Sequence, residues 1–228
     1  MAAPNRLKTF YVALAAIVVI GAGWLLLTRV RGGSQATTAA PPPVDAGVFP
    51  GYTMGSDSAP VKITEYADFE CPACGQYAVL TEPDVRKHLI DSGVVQVTFH
   101  DFPLVSIHAN SKPAHLAAQC AGEQGKFWQM HDQLYFNQGR WALERRPEGT
   151  IRGLAKAIGL DMKQYDECMS SGRYWPRLEQ MAQEAEDRGI SSTPTFDING
   201  RRHVSFVTYD EMRALVEQAL AKAKANAK

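Results

Sequence analysis

The stretch Val61–Cys74 reads VKITEYADFECPAC, and it decides the fold. From Val61 to Tyr66, β-branched and aromatic residues alternate with polar ones, the pattern of a strand. Cys71-Pro72-Ala73-Cys74 is a minimal redox switch. Two thiols at this spacing close a small ring as a disulfide, or supply half a metal site as thiolates. From Gln76 to Ile90, apolar residues recur at helical spacing, with Val79, Leu80, Val85, Leu89 and Ile90 on or near one face. Pro83 is expected to kink that helix. The cysteine pair thus sits where a strand hands over to a helix. Pro72 suits the first helical turn, where a missing N–H costs nothing and φ is already set. Cys71 then lies at the helix N-terminus, where free N–H groups and the dipole stabilise a thiolate.

The 228 residues leave room for one compact domain of ordinary size plus extras. Lys+Arg and Asp+Glu both number 24, and no basic stripe suggests nucleic acid. Four cysteines are too few for a disulfide scaffold but an even number for two pairs. Paired cysteines belong in an oxidising compartment. The N-terminus independently points to export. Phe10 to Leu27 carries no charge, is flanked by Arg6, Lys8, Arg29 and Arg31, and has Trp24 near one end. That run is near the minimum for a bilayer span. A cleaved signal peptide is the alternative, with Thr38-Ala39-Ala40 as a weak cleavage site and secretion as its consequence. The length of the apolar run and the two arginines after it favour a retained anchor.

The expected organisation is a short basic N-terminus (1–9), a transmembrane anchor (10–28), a linker (29–47) and a folded domain. Gly32 to Gly47, rich in small residues and proline, cannot bury a core and reads as an extended tether of on the order of 50 Å. After the switch helix, Asp91-Ser92-Gly93 is a turn and Val94 to Phe99 a second strand. Segments near 110–122, 126–138, 148–157, 162–171 and 174–188 read as helices, broken at Gly125, Gly139, Gly159 and Gly172. Strand character returns at Thr195 to Ile198, turns at Asn199-Gly200 and resumes from His203 to Val207. Tyr209 to Lys222 is a final amphipathic helix with Met212, Leu215, Val216, Ala219 and Leu220 inward. The hairpin must pair with the earlier strands to bury its face. The helices between them are then an insertion into one α/β domain.

Thr193-Pro194-Thr195 and the stretches FECPAC (69–74), HDFPL (100–104), AAQCAGEQGKFWQMHDQLY (117–135) and GISSTPTFDING (189–200) complete the pattern. Together with the helical insertion, they resemble the DsbA-like branch of the thioredoxin superfamily over about residues 50–222. The resemblance implies a thioredoxin fold in two parts (48–105 and 189–228) around a helical insertion (106–188). It implies a protein thiol-disulfide oxidoreductase with Cys71 as nucleophile, Cys74 as resolving thiol and Pro194 as a cis-proline facing them. Thr193 would tune the sulfur environment through its hydroxyl. The family often has a buried acid near the second cysteine. Glu65, sharing a strand face with Val61, Ile63 and Ala67, is placed for it and would exchange a proton with Cys74. Related proteins often bridge the position of Cys120 and Cys168. A bridge closing that loop would add roughly 4 kcal/mol of stability. Buried free thiols are the alternative, and a zinc site with the CxxC lacks a second closely spaced pair.

Many strong DsbA-type oxidases carry histidine where this chain has Ala73, and Glu70 disfavours nearby negative charge. A milder oxidant is therefore expected. His100, His108, His115 and His131 lack metal spacing and read as ordinary structural or surface residues. Phe127, Trp128, Met130 and Tyr135 read as helix core, while Phe69, Phe102 and Leu104 serve either the core or an apolar groove beside the switch. No cofactor or metal is expected. The family implies unfolded or partly folded exported proteins as substrates. It also implies a membrane redox partner, either DsbB-like or similar to vitamin K epoxide reductase. The catalytic domain, expected as a monomer, would face the periplasm or cell exterior. A reductase or isomerase kept reduced by a membrane donor is the rival reading, and a non-catalytic chaperone or binding module is another.

Overall fold

The computed structural model describes residues 49–226. The expected anchor (10–28) and linker (29–47) lie outside the described residues. Among the described residues, no helix is long and apolar enough to cross a membrane. Five strands form one mixed sheet: β1 (Tyr52–Met54), β2 (Val61–Ala67), β3 (Val95–Asp101), β4 (Thr195–Ile198) and β5 (Arg201–Val204), in the spatial order β1-β3-β2-β4-β5. The central pair, β2 and β3, is parallel, with Val61 opposite Val95 and Ala67 opposite Asp101. The other three pairings are antiparallel. Thus the late hairpin returns to pair with the first long strand, as its exposed face requires.

Helix α1 (Pro72–Leu80) follows β2 directly and ends at Thr81. A short α2 (Glu82–Val85) runs into a π-helical turn over Arg86–Ile90. The expected single helix from Gln76 therefore begins four residues earlier and is broken next to Pro83 rather than merely bent. Thr81 leaves the helix to donate its hydroxyl to the Val207 carbonyl. Leu80, expected inward, is exposed, because the break rotates it out of the apolar face.

The insertion comprises α3 (Ser111–Glu123), α4 (Phe127–Phe136), α5 (Gln138–Trp141), α6 (Glu148–Ala157), α7 (Met162–Ser171) and α8 (Trp175–Asp187). Gly139 does not break a helix but lies inside the short α5. Helix α9 (Tyr209–Asn226) closes the fold. Its Met212 and Val216 pack with Val61, Ile63, Phe196 and Ile198 on one face of the sheet. Tyr66 and Phe102 meet Ala185 and Ile190 of the α8 region. Strand β5 spans Arg201–Val204 rather than His203–Val207. The turn before it is tight: Asn199 and Gly200 both have positive φ (49° and 82°), and the second strand pairs at once. Strand β1 had no counterpart in the sequence reading, since three residues give too short an alternation to see.

A third cluster joins the two parts of the domain. Phe69 and Cys74 at the switch pack with Phe127, Met130, Leu134 and Trp141 of the insertion. The helical block therefore forms the wall of the switch instead of standing apart from it.

Candidate active site

Cys71 occupies the N-cap of α1, in extended conformation (φ −64°, ψ 121°), and Pro72 opens the helix. That placement leaves the first N–H groups of α1 turned toward the Cys71 sulfur. The Thr193–Pro194 peptide is cis. It sets the Thr193 carbonyl 3.3 Å from Cys71 Sγ, which donates to it. The sulfur's direct partner is therefore the backbone of Thr193. The Thr193 hydroxyl is buried without a protein partner and helps the thiolate as its charge develops.

The two thiols are unequal. Both are reduced in this structure. The Cys71 pKa is lowered to about 6, first by the hydrogen bond that the Cys74 thiol offers its thiolate. Burial opposes this, while Thr193 and the N–H groups of Cys74 and Ala73 assist. Cys74 is fully enclosed, and burial pushes its thiol well above the ordinary range. Cys71 is less open than expected, at 7 % exposure, because Thr193-Pro194 and the helical block crowd it. What distinguishes it from Cys74 is its place at the helix end more than its exposure.

Glu65 is buried on β2, and its Oε1 has no hydrogen-bond partner. Burial raises its pKa well above the carboxylate range, and the nearby Glu82 carboxylate adds to the effect. Arg86 opposes it but is engaged by Glu82 (2.9 Å) and Asp132 (2.6 Å). Burial among apolar neighbours therefore favours its protonated form. It lies near enough to Cys74 that, when ionised, it raises the thiol's pKa, though no direct hydrogen bond joins them.

Three further features were not visible in the sequence. Gln138 of α5 donates its Nε2 to the carbonyls of Phe69 (2.7 Å) and Cys71 (2.9 Å), clamping the chain on both sides of Glu70. Nothing local marks Gln138, since its partner lies 67 residues away. Second, Asp68 is wholly buried at the end of β2. It accepts from the N–H groups of Glu70 (2.8 Å) and Leu104 (2.7 Å) and pairs with His108 Nδ1 (2.8 Å). His115, also wholly buried, bridges to Asp101 through Nδ1 (2.5 Å). Its Nε2 faces Asp68 Oδ1 at 3.5 Å, suiting the imidazolium, and the Phe69 N–H at 3.3 Å, suiting the neutral ring. Burial pulls the His115 pKa down, but Asp101 and Asp68 outweigh it and lift it to about 9. Burial opposes it, but the hydrogen bonds of His108 first and His115 second hold Asp68 well below the carboxylate range. Third, His131 lies in the core beside Glu82 and Asp132. The histidines are thus structural residues, with His100, His115 and His131 buried and His108 part-exposed.

Glu70 accepts the Asn110 N–H at 2.6 Å, and burial raises its pKa. Phe69 and Phe102 belong to the core, and the exposed apolar residues are instead Val105, Ile107, Phe136 and Leu143, among others. Cys120 and Cys168 form a disulfide between α3 and α7 with Cα atoms 5.8 Å apart. They are therefore neither free thiols nor partners of the CxxC in a metal site. Among the described residues, no group of three or more His, Cys, Asp or Glu is arranged to hold a metal ion.

A thiolate-prone cysteine at a helix end, a shielded partner and a peptide carbonyl beside them can perform dithiol–disulfide exchange. The family model described as thioredoxin matches residues 49–218. The chain is 38 % identical over 173 residues to a Na(+)/H(+) antiporter NhaA 3 of Salinispora tropica, covering 76 % of this chain. It spans only 25 % of that relative's length. It is 26 % identical to a probable disulfide bond formation protein D of Bacillus cereus, over 75 % of this chain and 79 % of the relative. Among solved structures, oxidised BdbD from Bacillus subtilis matches with a TM-score of 0.67 and 26 % identity, over 79 % of this chain and 97 % of that one. The α-DsbA1 of Wolbachia pipientis shares the fold, with a TM-score of 0.69 at 18 % identity, over 77 % and 94 %. The chain belongs to the thioredoxin family and has the fold of the DsbA-like proteins.

Proposed function

We propose that the protein is a membrane-anchored oxidase that introduces disulfides into exported proteins. The observation that carries this reading is the Cys71 pKa of about 6 at the N-cap of α1. A stabilised thiolate favours the reduced enzyme and so makes the disulfide form a better oxidant. The value falls between the ordinary ranges of thioredoxin and the strongest DsbA-type oxidants, about 7 and about 3.5. It supports an oxidant of moderate strength. Likeness to the Bacillus disulfide bond formation protein D supports the same direction.

In the cycle, a substrate thiolate attacks Cys71 Sγ of the Cys71–Cys74 disulfide. The Cys71–Cys74 bond breaks, a mixed disulfide forms, and Cys74 leaves as a thiolate. Glu65, buried near Cys74, supplies the proton. A second substrate thiolate attacks the substrate sulfur of the mixed disulfide and expels Cys71 as a thiolate. Two electrons pass from the substrate dithiol to the enzyme. A membrane partner, DsbB-like or similar to vitamin K epoxide reductase, removes them. An extended substrate chain pairs with the backbone at Thr193. The apolar span at 10–28 and the Cys120–Cys168 disulfide both favour an extracytoplasmic site. Trapping thiols with an alkylating reagent in cells tests the direction of electron flow. Mostly oxidised Cys71 and Cys74 are expected. A mostly reduced pair would support the reductase reading instead.

A further inference from the structure

Side chains of the insertion hold the carbonyls that lead into Cys71. Tyr135 of α4 gives its hydroxyl to the Asp68 carbonyl (3.3 Å). One turn later, Gln138 Nε2 holds the carbonyls of Phe69 and Cys71. The Cys71 carbonyl also accepts the Gly75 N–H at 3.0 Å, the first hydrogen bond of α1. Gln138 therefore grips the peptide from which α1 starts. The far end of α5 is pinned in turn. Trp141, wholly buried, donates its indole N–H to the Leu134 carbonyl (2.7 Å). Asn110 Nδ2 donates to the carbonyls of Ala142 (3.1 Å) and Glu144 (2.9 Å), while its N–H is on Glu70. The helix that carries Gln138 is thus fixed relative to the segment it holds. Gly75 makes room for this contact. A Cβ there would stand 2.5 Å from Gln138 Oε1 and 3.0 Å from its Nε2. Gly75 lies inside α1 without a positive φ, so its backbone does not call for glycine, and alanine would be the better helix former. The close approach of Gln138 does call for it.

We propose that Gln138 is a positioning residue for the exchange reaction: from the insertion it fixes the Cys71 peptide so that the first N–H groups of α1 stay aimed at the nucleophile's sulfur, and Gly75 is the gap that admits it. This inference rests on Cys71 being the exchanging thiol. Gln138 hydrogen-bonds the Cys71 carbonyl and not the sulfur, so it acts through the backbone. Backbone N–H groups stabilise charge on a reacting atom best when they are already oriented, since no energy is then spent turning them as the charge develops. The groups in question are the N–H groups of Ala73 and Cys74. A grip on the carbonyl holds them still. It leaves the Cys71 side chain free to turn between the Cys74 sulfur and a substrate sulfur, as each round of exchange requires.

The test compares wild type, Gln138→Ala, Gly75→Ala and the double variant in the reduced form, each checked for folding by circular dichroism. The titration midpoint of Cys71 is read from the pH dependence of alkylation. It is expected to rise by about one pH unit in Gln138→Ala. Gly75→Ala should raise it too, although the substitution favours the helix, because the added methyl group displaces the Gln138 amide. The double variant should match Gln138→Ala alone, since the new methyl group then meets no amide. Ile151→Val, in a wholly buried residue of α6, should lower stability and leave the midpoint where it is. An unmoved midpoint in folded Gln138→Ala, or shifts that simply add in the double variant, would overturn the inference. If Gln138→Ala does not fold, Gly75→Ala decides, and an unmoved midpoint there overturns it. The redox state of the pair in cells is measured separately. A mostly reduced pair together with the raised midpoint would overturn the oxidase reading and support this one. A mostly oxidised pair with an unmoved midpoint would overturn this inference alone.

Discussion

Replacing Cys120 and Cys168 together by alanine separates the structural role of the bridge from the redox chemistry. The bridged residues are 48 apart in sequence and tie α3 to α7. Cross-linking a loop of that length removes about 4 kcal/mol of chain entropy from the unfolded state. Both side chains are about 1 % exposed, so deleting the sulfurs also leaves small voids, adding on the order of 1 kcal/mol. The double variant should therefore lose roughly 5 kcal/mol, a large share of the ~5–15 kcal/mol that holds a typical domain folded. For a domain of this size, the melting temperature should fall by about 10–20 °C. Guanidinium unfolding of both proteins, followed by far-ultraviolet circular dichroism, measures the loss directly. At 25 °C the surviving folded fraction should oxidise dithiols at the wild-type rate, since both cysteines are bonded to each other and not to the CxxC. A loss below about 1 kcal/mol would refute the entropic argument and show that packing alone holds α3 to α7. A folded variant without redox activity would refute the structural assignment.

Four other substitutions address the site. Cys74→Ser should trap covalent complexes with substrate at Cys71, visible as species lost on reduction. Cys71→Ser should trap none, and equal trapping by both would reverse the assigned roles. Glu65→Gln should slow the step in which Cys74 leaves or returns by about 10²-fold, seen in single-turnover kinetics. The same variant should be more stable at pH 7, checked by denaturant midpoint. A carboxyl whose pKa is raised by folding stabilises the protein below its unfolded value, and that contribution is lost as pH rises through the folded value. His115→Gln should flatten the alkaline side of the stability profile. His115 is raised to about 9, so its contribution is complete below about 6.5 and lost between there and about 9. Asp68 works in the opposite direction, contributing above about 3.9 and losing its contribution on acidification. An unchanged slope from pH 7 to 9 in His115→Gln would show that His115 is neutral in the fold.

What could be read from the sequence divides along a physical line. The β2–α1 junction was legible because alternation, Pro72 and the cysteine pair are all local signals within fourteen residues. Helices α6 and α7 ended where Gly159 and Gly172 take positive φ, a backbone demand written in one residue. The burial of Glu65 followed from its strand face, because side chains alternate with period two. By contrast, the break at Thr81 depends on a carbonyl 126 residues away, and a pattern of apolar residues carries no trace of it.

The same line runs through the site, where the partners of its histidines are not written along the chain. Spacing along the chain tests for metal ligands, but these histidines were recruited by carboxylates on other elements. Asp68 and Asp101 end two neighbouring parallel strands in adjacent register, with Asp101 opposite Ala67. That pairing places two buried carboxylates within reach of one ring from α3, so His115 can enter the core only as their shared partner. Once His115 neutralises part of that charge, Asp68 has an oxygen left for His108 and the Leu104 amide. The loop beside Cys71 is thus shaped by a charge balance set in the core. A substitution at Asp101, which touches no sulfur, should therefore disturb the switch through His115 and Asp68 more than an equally buried apolar substitution in β3 would.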